Sequence, residues 1–133
     1  MKVSLYTDGG ARGNPGPAGI GAVIKDKNNQ TIKEVGKFIG NTTNNEAEYR
    51  ALIEGLVACL DKTVSEVNCY SDSKLVVNQL NGDFKVKNAK MKIFYKEVKR
   101  LERNFDKITY TYIPRDKNTE ADSLVNEVLD SIN

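Results

Sequence analysis

Four acidic residues lie far apart in the chain, each in a segment of its own character: Asp8, Glu48, Asp72 and Asp122. Asp8 closes an apolar, alternating run and opens a glycine-rich stretch. Glu48 follows Thr43-Asn44-Asn45, Asp72 closes a second apolar run, and Asp122 lies in a helix-patterned C-terminal segment. Gathered in space, four carboxylates would make an all-oxygen cage for divalent cations. Such a cage needs no histidine, and the chain has none. That absence excludes Ser-His-Asp and Cys-His relays and histidine-ligated zinc. Any catalysis must rest on carboxylates, Lys, Tyr or a bound metal.

Each segment alone has a plain structural explanation. Asp8 to Gly21 reads Asp-Gly-Gly-Ala-Arg-Gly-Asn-Pro-Gly-Pro-Ala-Gly-Ile-Gly. A carboxylate beside glycines lets a phosphate approach without a side-chain barrier, but a hairpin loop explains the same residues. The glycine spacing fits neither a P-loop nor a dinucleotide fingerprint, because no helix follows. Thr43-Asn44-Asn45 reads as a helix start, whose free N–H groups are capped by a local side-chain oxygen and attract phosphate. Capping does not explain Glu48, which falls at helical spacing with Leu52, Gly55, Leu56 and Cys59. Ser71-Asp72-Ser73 can be a cap, and Asp122 a half-exposed helix carboxylate.

The elements that must position these residues follow from periodicity. Val3 to Asp8 alternates as a strand. Residues 9–21 hold six of the ten glycines and two of the three prolines and are expected to turn. Ile20 to Ile24 and Thr31 to Ile39 read as strands joined by the turn Asp26-Lys27-Asn28-Asn29. A helix is expected from Thr43 or Asn44 to about Leu60. A strand at Val67 to Ser71 precedes a helix that runs to Leu80 and stops at Asn81-Gly82. Met91, Phe94, Val98, Leu101 and Phe105 mark an amphipathic helix. Ile108 to Ile113 is a strand, Pro114 to Asn118 a loop, and Ala121, Leu124, Val125, Val128, Leu129 and Ile132 stripe a last helix. The order β-β-β-α-β-α-α-β-α predicts an α/β fold, a mixed sheet with helices on both faces.

The chain's 133 residues suit one domain, 1–133, with no repeat or linker. No apolar run approaches the ~20 residues of a membrane span. Met1-Lys2-Val3 leads straight into a strand, so neither a signal nor a transit peptide is expected and a cytoplasmic location is. Cys59 and Cys69, in apolar segments, read as buried reduced thiols. Net charge is +2, unevenly placed: residues 84–103 carry eight Lys or Arg against two acids, a net of +6, leaving −4 elsewhere. A basic stripe beside an acidic remainder fits a polyanion surface next to a metal site, although a solvated helix face has the same composition.

Taken together and in order, Tyr-Thr-Asp-Gly-Gly, Gly-Asn-Pro-Gly-Pro-Ala-Gly, Thr-Asn-Asn-Glu-Ala-Glu, Tyr-Ser-Asp-Ser and Pro-Arg-Asp-Lys-Asn-Thr-Glu-Ala-Asp resemble the type 1 ribonuclease H family over nearly the whole chain. The resemblance implies that family's fold, a five-stranded mixed sheet in the order 3-2-1-4-5 flanked by helices. It carries metal-ligand roles onto Asp8, Glu48, Asp72 and Asp122, while Glu46 sits two residues early and does not match. Asn14, Asn44 and Asn45 match residues that contact a hybrid's minor groove, and Thr43 matches a residue of the DNA-strand phosphate pocket.

The implied activity is hydrolysis of the RNA strand of an RNA/DNA hybrid, by a monomer, leaving 5′-phosphate and 3′-hydroxyl ends. Two Mg²⁺ ions, about 4 Å apart, would clamp the scissile phosphodiester, with Mn²⁺ able to substitute. Two departures stand out. Many relatives have a histidine in the loop before the last carboxylate. Here Arg115 is the stand-in, and being permanently charged it can steer phosphate or assist product release but cannot shuttle a proton. Asn41 stands where some relatives have an arginine. There is no tryptophan and no helix for a basic protrusion, so the face of residues 85–103, Lys87 and Lys90 included, is expected to bind substrate instead. The alternatives are a nuclease of the same fold that cuts double-stranded RNA or DNA ends, a non-catalytic nucleic-acid module, and a metal-binding structural protein.

Overall fold

A computed structural model describes residues 1–132. The strands are β1 (Lys2–Ala11), β2 (Gly16–Lys25), β3 (Thr31–Thr42), β4 (Glu66–Ser71) and β5 (Lys107–Tyr112). The helices are α1 (Asn44–Ala58), α2 (Lys74–Leu80), α3 (Ala89–Glu102) and α4 (Thr119–Ser131), with a 3-10 turn at Arg115–Lys117. One sheet forms in the order β3-β2-β1-β4-β5, as the family resemblance implies. β1, β2 and β3 pair antiparallel as a meander, whereas β4 runs parallel to both β1 and β5. The parallel half requires crossovers, which α1 and the α2–α3 pair supply.

Local chemistry sets the helix starts. The side chains of Thr43, Ser73 and Asn88 cap α1, α2 and α3 by accepting N–H bonds that the first turn leaves unpaired. Alternation in β1 places Val3 and Leu5 on one face, where they meet Tyr49, Leu52 and Leu56 of α1 and Val98 and Leu101 of α3 in the main core. Each such side chain gains about 1.5–3 kcal/mol on burial. α4 covers the opposite face. Cys59 and Cys69 are buried free thiols, as expected. No helix among the described residues is long and apolar enough to cross a membrane.

The glycine-rich stretch departs from expectation. Only residues 12–15 lie outside strands; β1 continues to Ala11 and β2 begins at Gly16. Asp8, Gly9, Gly10 and Ala11 pair with Gly21, Ile20, Gly19 and Ala18. Gly13, at φ +95, serves the turn, whereas Gly9 and Gly21 serve helix packing. A Cβ on Gly9 would lie 2.2 Å from the Ala47 carbonyl oxygen of α1, and one on Gly21 would lie 2.4 Å from that of Ala121 in α4. Missing side chains thus seat both carboxylate-bearing helices on the central strands.

Candidate active site

Strand register brings Asp8 and Asp72 together. Thr7 and Ser71 are the last paired residues of the parallel β1–β4 ladder, and Asp8 and Asp72 follow them directly, side by side at the same end. Glu48 arrives from α1, where the close approach at Gly9 brings its carboxylate into position to accept the Gly9 N–H at 2.5 Å. Carboxylate oxygens of Asp8, Glu48 and Asp72 all lie within 4.8 Å of one another. Asp122, in the first turn of α4, lines the same cleft of about 540 Å³ but stands outside the trio whose oxygens lie within 4.8 Å of one another. Arg115 stands at the rim, its guanidinium 3.5 Å from Asp122 Oδ1 and largely exposed.

These carboxylates resist ionising together. Burial, then the charge of Asp72, then Asp122 push the Asp8 carboxyl up to about 8, against a lowering bond from Glu48. Burial and the charges of Asp8 and Asp72 push Glu48 well above the ordinary range, although the Gly9 N–H opposes this. The donors are all hard carboxylate oxygens, and Asp8 is only 8% exposed. Such a set fits a divalent cation, whose charge would relieve the repulsion that burial strengthens.

Of the other matched residues, Asn44 and Asn45 line this cleft, and Asn14 and Thr43 bond to the same helix start beside them. Asn14 Oδ1 accepts the Asn44 N–H at 3.0 Å, and Asn44 Oδ1 accepts the Ala11 N–H at 2.8 Å. Because a backbone N–H can only donate, both amides are oriented by their carbonyl ends, and their NH₂ groups remain as donors. Asn45 is exposed beside Asn44 in the cleft lining. Thr43 caps α1 by accepting the Glu46 N–H at 3.3 Å, and its own O–H is still able to donate.

The basic stripe divides. Lys87 is exposed just before α3. Lys90 is tied instead to Glu46, Nζ to Oε1 at 2.7 Å. Lys99 bonds the Leu80 carbonyl and Glu102, and Arg100 bonds Glu97. Glu46, on the same turn as Glu48, faces away from the cage toward the Thr42 hydroxyl and Lys90. Burial raises its pKa, but bonds from Lys90 and Thr42 and the charges of Lys90 and Arg50 outweigh that and hold it below the usual range.

Two contributors escape the sequence reading. Asn118 is 1% exposed. Its Nδ2 donates to the Thr7 carbonyl at 2.8 Å while its own carbonyl accepts the Asp122 N–H at 3.1 Å. One residue thus ties the start of α4 to the strand that carries Asp8. Its sequence signals are an Asn placed before a helix start and a position inside the last matched motif, neither of which tells of burial. The second is the Glu46–Lys90 pair, which helical spacing alone cannot join across 44 positions.

Comparison with known proteins agrees with this geometry. The reverse transcriptase-like family profile matches residues 6–128. A bifunctional protein of Mycobacterium tuberculosis is 44% identical over 98% of this chain. The chain spans only 36% of that relative's length. The crystal structure of RNase H1 from Halobacterium salinarum superposes with a TM-score of 0.95 at 38% identity, covering 98% of this chain and 99% of that one. An RNase H1 recovered from compost, solved with an RNA/DNA hybrid, gives a TM-score of 0.94 at 44% identity and 98% coverage of both chains.

Proposed function

This chain belongs to the reverse transcriptase-like family, among its type 1 ribonucleases H, and we propose that residues 1–133 act as one monomeric domain that hydrolyses the RNA strand of RNA/DNA hybrids. The observation that carries the reading is the convergence of Asp8, Glu48 and Asp72 in one cleft with Asp122 and the Asn44–Asn45 corner. Asp8, Glu48, Asp72 and Asp122 would hold two Mg²⁺ ions, which Mn²⁺ could replace. Ions bound there would supply charge neutralisation at the scissile phosphate and a more acidic attacking water.

The chain's own residues account for the rest. The Gly9 N–H fixes Glu48, and Asn118 fixes Asp122 relative to β1, so the carboxylates are oriented before substrate arrives. The NH₂ groups of Asn14 and Asn44, with Asn45, donate to acceptors in the minor groove, where the 2′-hydroxyl marks the RNA strand. Thr43 donates to a DNA-strand phosphate. Arg115, permanently charged, attracts the scissile phosphate or the departing 5′-phosphate product. The bond broken is P–O3′, and water supplies the new oxygen on phosphorus, leaving 5′-phosphate and 3′-hydroxyl ends.

The test incubates labelled RNA/DNA hybrid, double-stranded RNA and double-stranded DNA with Mg²⁺ or Mn²⁺, using wild type and Asp8→Asn. Cleavage of only the RNA of the hybrid, lost in the variant by more than the roughly 10–100-fold typical of losing an outer-shell group, is expected. Equal products from wild type and variant would overturn the site. Cleavage of double-stranded RNA at a comparable rate would widen the substrate.

A further inference from the structure

The start of α3 carries an electrostatic problem that its own sequence does not solve. Residues 84–92 contain Lys85, Lys87, Lys90 and Lys92 and no acid, and the first turn of α3 has no acidic residue. A helix N-terminus is the positive end of the backbone dipole, so lysines there are repelled both by the dipole and by one another. The missing negative charge comes from another element. Glu46 of α1 places Oε1 2.7 Å from Lys90 Nζ, with the Glu46 side chain 9% exposed and that of Lys90 63% exposed.

Glu46 also grips the other side. Its second carboxylate oxygen accepts the Thr42 hydroxyl, and its backbone N–H donates to Thr43. The lysine-rich segment is therefore pinned to the corner that presents Thr43, Asn44 and Asn45. Met91 at 9% exposure, the residue after Lys90, joins the core beside this tie, and Asn88 caps the turn by accepting the N–H groups of Lys90 and Met91.

We propose that Glu46 is a positioning residue for substrate binding: held by Thr42 and Lys90, it docks the lysine-rich start of α3 against the Thr43–Asn45 corner so that both surfaces meet one nucleic-acid duplex. Lys90 then acts through Glu46, and Lys85, Lys87 and Lys92 are the cations of this segment left to reach phosphate. The proposal rests on the hybrid-cleaving reading only for the identity of the duplex; the docking itself is a property of the free protein.

Plain electrostatics and docking give opposite signs for one substitution. Removing an acid near a polyanion site tightens binding if charge alone matters. If Glu46 positions α3, Glu46→Gln weakens binding instead, because a half-buried ion pair becomes a weaker charge–dipole hydrogen bond. The expected result for Glu46→Gln is a KM for hybrid raised about three- to tenfold with kcat within about twofold of wild type. Lys90→Gln should match it, the double variant should be no worse than either single one, and Lys90→Arg should restore most of the loss. In the free protein, amide exchange across residues 84–92 should quicken in Glu46→Gln while α1 stays protected.

A lowered KM in Glu46→Gln, or additive losses in the double variant, would overturn the proposal. Unchanged exchange at 84–92 would do so as well, and that readout needs no activity. A wild type that cleaves no hybrid would instead refute the nuclease reading and leave the exchange measurement to decide the docking. Should Glu46→Gln fold poorly, Lys90→Arg and Lys90→Gln, at the exposed end of the pair, carry the same comparison.

Discussion

The carboxylate end of the sheet and the lysine-rich start of α3 are both charged, yet they are built by different means. At the carboxylate end the backbone does the placing. Parallel register sets Asp8 beside Asp72, a missing Cβ at Gly9 admits α1, and Asn118 bonds main-chain groups on two elements. At the start of α3 side chains do the placing, through Glu46 and its partners, and the cations are exposed. Like charges packed in a buried cleft need a rigid frame to stay together without their counter-ions. Exposed cations that follow a flexible polyanion need only a tether. The first region should therefore respond to change with loss of chemistry, and the second with graded loss of affinity.

The largest effect should come from unloading the buried charge. Asp8 is raised to about 8 in the folded chain from an ordinary value of 3.8, so between those values the folded state keeps a proton that the unfolded state has released. Stability of the metal-free protein should fall as pH rises from about 4 to about 8. Asp8→Asn should flatten much of that slope and raise the melting temperature at pH 8 while abolishing cleavage, and divalent cation should stabilise wild type more than the variant. Thermal melts in chelator across this pH range check it. Parallel profiles for the two proteins would mean that the frame does not store this repulsion.

How much of the molecule is legible in the sequence follows the same division. Periodicity and the cap and stop signals mark every strand and helix, and the ordered motifs point to the sheet order and to Glu48 rather than Glu46. The glycine-rich stretch reads as a turn but is mostly strand, because glycine's lack of a side chain serves close packing as well as bending, and only the third dimension tells which. Asn118 and the Glu46–Lys90 tie escape because each joins elements distant in sequence. Local propensity carries no record of such pairs, and a buried Asn in a short loop reads the same as an exposed one.

Two glycine substitutions set the regions against each other at intermediate size. Gly9→Ala forces a Cβ to 2.2 Å from the Ala47 carbonyl oxygen and 2.7 Å from the Glu48 nitrogen. The overpacking should cost about 1–3 kcal/mol and should lower kcat, because Glu48 moves with α1. Gly82, just before the basic segment, has φ +84 and open space where a Cβ would stand. Gly82→Ala should cost about 1 kcal/mol through its backbone alone and leave kcat unchanged. Denaturant melts and kcat measured below the unfolding transition separate the two; equal kcat losses would erase the distinction between frame and tether.

The finest test uses one exposed cation from each region. Arg115 lies 3.5 Å from Asp122, inside the field of the carboxylates, whereas Lys87 is exposed before α3 with no ion-pair partner among the described residues. A cation that only meets backbone phosphate contributes through counter-ion release, so Lys87→Gln should weaken hybrid binding a few-fold at low salt and reduce the slope of log K against log salt by about 0.9, with kcat kept. Arg115→Ala should lower kcat, or shift the limiting step at product release, by about tenfold or less, with a smaller change in KM. If the two effects were interchanged, Arg115 would belong with the tethered cations and the cleft would work with carboxylates alone. If Arg115→Ala changed neither turnover nor affinity, its place beside Asp122 would be structural only.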